Sequence, residues 1–97
     1  MSELIDSITH TEIAVATSST AVIAANAQRQ YLLLINDSDT VIYLKLGAAA
    51  AANKGIRLNA NGGSLEMSGL MGNNYQGAIN GIHAGTGTKN LLVSEGT

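Results

Sequence analysis

Short apolar or alternating runs, separated by Gly- and Asn-rich turns, constrain the fold of this chain most. Clear examples are Arg29–Asn36, Thr40–Leu46, Gly55–Asn59 and Ser64–Met67. Eight or so such runs at roughly 8–12-residue spacing are typical of a β-sandwich or a small barrel. We therefore predict an all-β chain with a single antiparallel β-sandwich domain of jelly-roll type. Helix should be negligible apart from one possible turn in residues 48–54.

The run Arg29–Asn36 is the strongest strand signal. Residues 31–35 are apolar on both faces of a strand, so both faces should be covered. The side chains on the outward face of this strand could equally well belong to the core or to an interface with another protein. A polar loop at Asn36–Asp39 follows, with side chains that favour turns. Two strand-like runs around a short polar loop predict a hairpin in which residues 31–35 pair with residues 41–46.

Strict alternation assigns the inward positions of four consecutive strands, because successive side chains in a strand point to opposite faces. The predicted core positions are Leu32, Leu34, Ile42, Leu44, Ile56, Leu58, Leu65 and Met67.

The N-terminal quarter differs from the rest of the chain. Residues 1–25 are rich in Ser and Thr with scattered aliphatic residues, although Thr11–Thr17 and Thr20–Ala24 have β-type content. We interpret residues 1–25 as an extended arm with possible first strands, and residues 26–97 as the β-sandwich domain. Isolated apolar residues on a polar segment are costly to expose, so the arm is expected to dock on an assembly partner, or on a neighbouring subunit by strand addition to an open sheet edge.

Charge is sparse, at 12% of residues against roughly 25% in ordinary globular domains. This indicates a subunit whose surface is partly covered in an assembly. The five basic residues are spread singly, which argues against a nucleic-acid partner. The longest apolar runs fall far short of the ~20 residues of a membrane helix, so no membrane partner is expected. Residues 1–15 lack the pattern of a secretory signal.

No catalytic or metal-binding pattern is evident, and we predict neither an enzyme nor a cofactor. His10 and His83 are too few for a zinc site. The acids of Asp37-Ser38-Asp39 lack the further ligands of a calcium loop, and a turn accounts for the same residues. The glycine-rich stretch 81–88 matches no phosphate-binding motif, and no nucleophile-elbow motif occurs.

Four stretches carry a resemblance to a known group of proteins. In order, they are RQYLLLINDSDTVIYLKLG at 29–47, GIRLNANGGSLEMSG at 55–69, YQGAINGI at 75–82 and LLVSEGT at 91–97. Together they resemble small virion-associated proteins of tailed bacteriophages, a group that includes capsid decoration (cement) proteins. The resemblance covers about residues 25–97 and contains no catalytic motif.

The resemblance implies a decoration protein that binds the outer head surface and stabilises it. It implies the major capsid protein as partner, a homo-oligomer (a trimer in such proteins), an N-terminal arm that grips the shell, and location in the virion after assembly in the host cytoplasm. Two alternatives remain: a carbohydrate- or receptor-binding module of a fibre, and a neck or tail-completion ring. The residues predicted to contact protein partners are Leu4, Ile5, Ile8, Ile13, Val15, Tyr31, Leu33 and Tyr43.

Overall fold

The computed structural model describes residues 5–97, which form an all-β chain without a helix. Two four-stranded antiparallel sheets pack as a β-sandwich, which confirms the predicted fold class. The strands are β1 (Ile8–Val15), β2 (Thr20–Ile23), β3 (Tyr31–Asn36), β4 (Ile42–Leu46), β5 (Ile56–Leu58), β6 (Ser64–Ser68), β7 (Ile79–His83) and β8 (Lys89–Gly96).

The strand order is that of a jelly roll. The first sheet has the order β1-β8-β3-β6 and the second sheet the order β2-β7-β4-β5. Consecutive strands therefore alternate between the sheets, except that β4 and β5 are neighbours in the second sheet. Two such interleaved sheets make the double Greek key of a jelly roll. Because the chain passes repeatedly between the layers, its turns gather at the two ends of the sandwich.

The predicted hairpin is wrong, although both of its strands exist. Strand β3 lies between β8 and β6 in the first sheet, whereas β4 lies between β7 and β5 in the second. The loop after Asn36 crosses from one layer to the other. Asn36 is fully buried, and its Nδ2 donates to the carbonyl oxygens of Thr40 (2.8 Å) and Leu58 (3.1 Å). This amide fastens the end of β3 to a strand of the opposite sheet.

The predicted core positions lie in one cluster between the sheets. Leu32 and Leu34 of the first sheet and Ile42 and Leu44 of the second are fully buried. Leu58 and Met67 are also buried, and Ile56 and Leu65 are partly buried against the same cluster. Further core positions come from outside the prediction: Val15, Val22, Ile79, Leu91 and Val93.

The segment predicted as an arm carries the first two strands, and each is an edge strand. Strand β1 pairs with β8 at eight consecutive positions, and β2 pairs with β7. The pairing continues beyond β1, since the backbone N–H groups of Asp6 and Ser7 donate to the carbonyl oxygen of Thr97. From residue 5 onward, the N-terminal segment thus docks on the last strand of its own chain.

Candidate docking surface

The exposed large apolar side chains of residues 5–97 gather at one end of the first sheet. Leu70 is 78% exposed, Met71 57%, Ile8 48% and Ile5 38%. Ile8 and Tyr31 flank Gly96 in one cross-strand row on the outer face of this sheet. Ile5, Tyr31 and Leu70 line a common open groove of about 230 Å³. We call the five residues Ile5, Ile8, Tyr31, Leu70 and Met71 the apolar end.

A glycine makes room for the N-terminal part of this surface. A Cβ atom on Gly96 would lie 2.9 Å from Ile5 Cγ2 and 3.1 Å from Tyr31 Cβ. The missing side chain therefore lets Ile5 lie over the sheet beside Tyr31. The groove that results is smaller than the roughly 300–1,000 Å³ of small-molecule pockets. Its size and apolar rim suit contact with another protein surface better than enclosure of a ligand.

The turn that carries Leu70 and Met71 is fixed by short-range hydrogen bonds. Ser68 Oγ accepts from the Met71 N–H at 3.0 Å, and Asn73 Oδ1 accepts from the Ser68 N–H at 3.0 Å. Asn73 Nδ2 donates to the Glu66 carbonyl oxygen at 3.0 Å. These contacts hold the turn against the end of β6, so that its two apolar side chains project into solvent.

A buried arginine holds the segment that follows this turn. Arg29 is fully buried, and its Nε donates to Glu95 Oε2 at 2.8 Å. Its Nη1 donates to the carbonyl oxygens of Tyr75 (2.8 Å) and Gly77 (3.1 Å), and its Nη2 to that of Ala24 (2.7 Å). One guanidinium thus joins β8, the end of β2 and the segment before β7. The planar fork of Arg, with its five N–H donors, suits such a multiple contact.

Two amide side chains complete the attachment. Asn74 Nδ2 donates to the Arg29 carbonyl oxygen at 2.7 Å, and Gln76 Nε2 donates to the same oxygen at 2.9 Å and to that of Ala27 at 3.0 Å. A polar network therefore fastens the segment that follows the turn with Leu70 and Met71 to the rest of the sandwich.

Tyr31, which belongs to the apolar end, is hydrogen-bonded to an acidic side chain. Its Oη donates to Glu66 Oε2 at 2.7 Å, across the β3–β6 pair. This hydrogen bond, together with partial burial and the negative charge of Glu66, raises the pKa of Tyr31 above its usual value. Ionisation would remove the hydrogen bond and place two anions side by side.

We expect the Glu66→Gln variant to lower the pKa of Tyr31 toward its ordinary value of about 10. Absorbance titration of the tyrosinate band would measure this pKa, with Tyr31→Phe identifying which transition belongs to Tyr31. Because folding raises this pKa, the related stability is present below pH ~10 and is lost as pH rises through the folded-state pKa. Identical titration curves for the wild type and Glu66→Gln would contradict the assignment.

The predicted contact residues do not share one surface. Ile5, Ile8, Tyr31 and Leu33 lie together on the outer face of the first sheet. Tyr43 lies on the outer face of the second sheet, and its Oη donates to Asn53 Oδ1 at 2.8 Å. These two faces are on opposite sides of the sandwich, so no single surface contains all of the predicted residues.

The remaining predicted contact residues lie on neither outer face. Val15 is fully buried in the core, and Ile13 is partly buried against it. Both point inward because β1 pairs in register with β8, which places Ile13 opposite the buried Leu91. Val15 is therefore a core residue and is not available to a partner. Leu4 lies outside the described residues.

Leu70 and Met71 are the contact candidates that the sequence interpretation missed. They occupy the stretch Gly69–Asn74, which reads as a loop. The usable signal is an adjacent pair of large apolar residues between two glycines, with no strand of its own to bury them.

The described residues offer no arrangement for metal chemistry. Among residues 5–97, no group of three or more His, Cys, Asp or Glu side chains is placed to hold a metal ion. His10 is bonded to Ser94 Oγ at 2.7 Å, on the outer face of the first sheet. His83 is buried, and its ring nitrogens are bonded to the Gly87 carbonyl oxygen and the Gly85 N–H. Within the same range, no helix is long and apolar enough to cross a membrane.

No protein-family model, curated protein or solved structure matches this chain. The most distinctive surfaces of the described residues are the apolar end and the outer faces of the two sheets.

Proposed function

We propose that this chain is a non-enzymatic structural protein of a bacteriophage virion, acting as a decoration protein on the outer surface of the head. The observation that carries the proposal is the apolar end. Its partner there is the major capsid protein, and the chain also associates with copies of itself. The number of copies implied by the resemblance is three.

The apolar end has the properties of a docking surface. Exposed apolar side chains scattered singly are ordinary, but a contiguous group marks an interaction site. Fully burying a Leu, Ile or Met side chain contributes about 1.5–3 kcal/mol. A few such residues on a rigid base can supply most of the energy of an interface, and Leu70 and Met71 stand on the fixed turn after β6.

The N-terminal segment contributes to this surface in a way that suits the proposal. Ile5 and Ile8 belong to the segment expected to grip the shell, and they lie beside Leu70 or Tyr31 at the apolar end. The low charge of the chain also suits a subunit that is partly covered in an assembly.

The fold adds support by analogy. Double-sheet jelly rolls are a common architecture of viral capsid and lectin domains. Because one fold hosts many functions, the analogy supports the virion role without specifying the partner. A sugar-binding role, which this fold also permits, would favour aromatic side chains exposed together. Tyr31 and Tyr43 lie on opposite sheets and have their hydroxyl groups bonded to neighbouring side chains.

We expect the double variant Leu70→Ser/Met71→Ser to attach at least about a hundredfold more weakly to heads that lack the protein, since about 1.5–3 kcal/mol is lost for each of the two buried side chains. Cosedimentation of the purified variant with such heads would measure attachment. Quantitative mass spectrometry of virions, relative to the major capsid protein, would give the copy number. Many copies per head fit decoration, whereas a single ring of copies fits a neck or tail protein.

The matched control is Ala48→Ser/Ala49→Ser, which places two serines in an exposed loop elsewhere. This control should attach as the wild type does. Equal head occupancy for the Leu70/Met71 variant, with its β-sheet circular dichroism intact, would contradict a role for the apolar end.

A further inference from the structure

The charged side chains are divided between the two sides of the sandwich. Residues 5–97 form two ion pairs, Arg29–Glu95 at 2.8 Å and Lys89–Asp39 at 3.0 Å. Lys45 and Arg57 lie outside these pairs, and both are exposed on the outer face of the second sheet, while Lys54 lies just before β5 of that sheet. The first sheet carries Glu12 and Glu66 on its outer face, both exposed.

On the first sheet, these acids flank an apolar centre. One cross-strand row runs from His10 through Ser94 and Leu33 to Glu66, and the next from Glu12 through Leu92 and Ile35 to Ser64. Leu33, Ile35 and Leu92 are partly exposed. Ile35, Leu92 and Glu12 line an open groove of about 340 Å³. This surface uses rows other than the row of the apolar end.

On the second sheet, basic groups accompany a smaller apolar centre. Register places Tyr43 between Arg57 and Ile82, and Lys45 opposite Asn80 in the next row. Tyr43 and Ile82 are partly exposed, and Arg57 and Lys45 are exposed. The two outer faces thus share an apolar middle and differ in the sign of the charge around it.

We propose that the outer face of the first sheet of one copy binds the outer face of the second sheet of another copy. This rests on the proposed self-association and gives it a geometry that differs from the trimer implied by the resemblance. Contact between two identical faces would bring Glu12 and Glu66 against the same acids, or Lys45 and Arg57 against the same bases, and like charges in contact are unfavourable. Contact between unlike faces joins opposite charges around two apolar centres.

Such a contact is heterologous, because each copy uses two different surfaces. Heterologous contacts build a closed ring where the rotation between successive copies closes, and an open row where it does not. Since the two faces lie on opposite sides of one sandwich, this contact alone favours a row or a larger ring over a compact trimer. The mass distribution in solution therefore reports on the geometry as well as on the contact.

The test uses two charge-reversed variants. Glu12→Lys/Glu66→Lys makes both faces basic, and Lys45→Glu/Arg57→Glu makes both faces acidic. We expect each variant alone to associate at least about tenfold more weakly than the wild type at low ionic strength and to sediment near 9.9 kDa. A 1:1 mixture should reassociate, because every contact in an alternating assembly then joins a basic face to an acidic one.

The control Thr86→Lys/Thr88→Lys adds two positive charges in the exposed turn between β7 and β8 and should associate as the wild type does. Analytical ultracentrifugation of all samples, with circular dichroism to confirm folding, decides the matter. A monomeric wild type, full association of either folded reversal variant, or failure of the mixture to reassociate would overturn the proposal. Attachment of the Leu70/Met71 variant to heads tests the virion role separately.

Discussion

Replacing Arg29 with Met is expected to lower the free energy of unfolding by about 3–5 kcal/mol, the range typical of removing one partner from a buried ion pair. The arginine side chain is fully buried, and the side chain of Glu95 is only 21% exposed. The substitution would leave that carboxylate without its ionic partner and with only the Asn26 amide, at 3.2 Å, still donating to its Oε2. It would also remove the donor that serves the carbonyl oxygens of Ala24, Tyr75 and Gly77. Such a loss is a large fraction of the roughly 5–15 kcal/mol that stabilises a typical domain.

Urea unfolding followed by circular dichroism would measure this loss. The matched control is Lys89→Met, which breaks the pair with the largely exposed Asp39 and should cost far less, because exposed ion pairs contribute little to stability. Arg29→Lys keeps the positive charge but has only three donors on one nitrogen, so it should recover a minor part of the loss. An Arg29→Met variant as stable as Lys89→Met would show that the network contributes little to folding.

The position of Arg29 shows what the sequence conceals. In the sequence it is one of five scattered basic residues. Its ion-pair partner lies 66 residues further along the chain, and its other acceptors are backbone oxygens that carry no sequence signal. Only the packing of β8 and the segment before β7 brings these groups together. Periodicity and local motifs in the sequence therefore do not predict a long-range polar network of this kind.

Strands were predictable because alternation is a local property, and strand pairing was not. The runs that became β3 and β4 stand out by composition and period. A polar loop between two strands can close a hairpin or cross between two sheets about 10 Å apart. The choice depends on the neighbours that each strand finds, and for β3 these are β6 and β8.

The candidate surface was predictable to the same extent. Tyr31 and Leu33 followed from the doubly apolar β3, since the inner set of alternating residues fills the core and leaves the other set outside. Val15 was misplaced because its burial depends on β1 joining β8, a pairing between the two ends of the chain. Leu70 and Met71 belong to a loop, where no period indicates which side chains are exposed.

The adjacent residues Leu33 and Leu34 of β3 should differ strongly in their contribution to the free energy of unfolding. Leu34 is fully buried opposite Val93 and Leu65, so we expect Leu34→Ala to cost about 2–5 kcal/mol through lost burial and a residual cavity. Leu33 points to the outer face, opposite Ser94 and Glu66, and we expect Leu33→Ala to cost about 1 kcal/mol or less. Thermal or urea unfolding would measure this difference, and because both variants carry the same Leu→Ala substitution, only the position of the side chain differs.

The same pair of variants separates folding from association. Leu33→Ala should retain the fold and weaken self-association, because Leu33 lies in the apolar centre of the proposed contact between copies. Leu34→Ala should chiefly lower stability. Side chains in a strand alternate strictly, so a shift of one residue in the register of β3 would exchange the two leucines between core and surface. A Leu33→Ala variant less stable than Leu34→Ala would therefore mean that β3 presents the opposite face to the core, and the outer face of the first sheet would have to be reassigned with it.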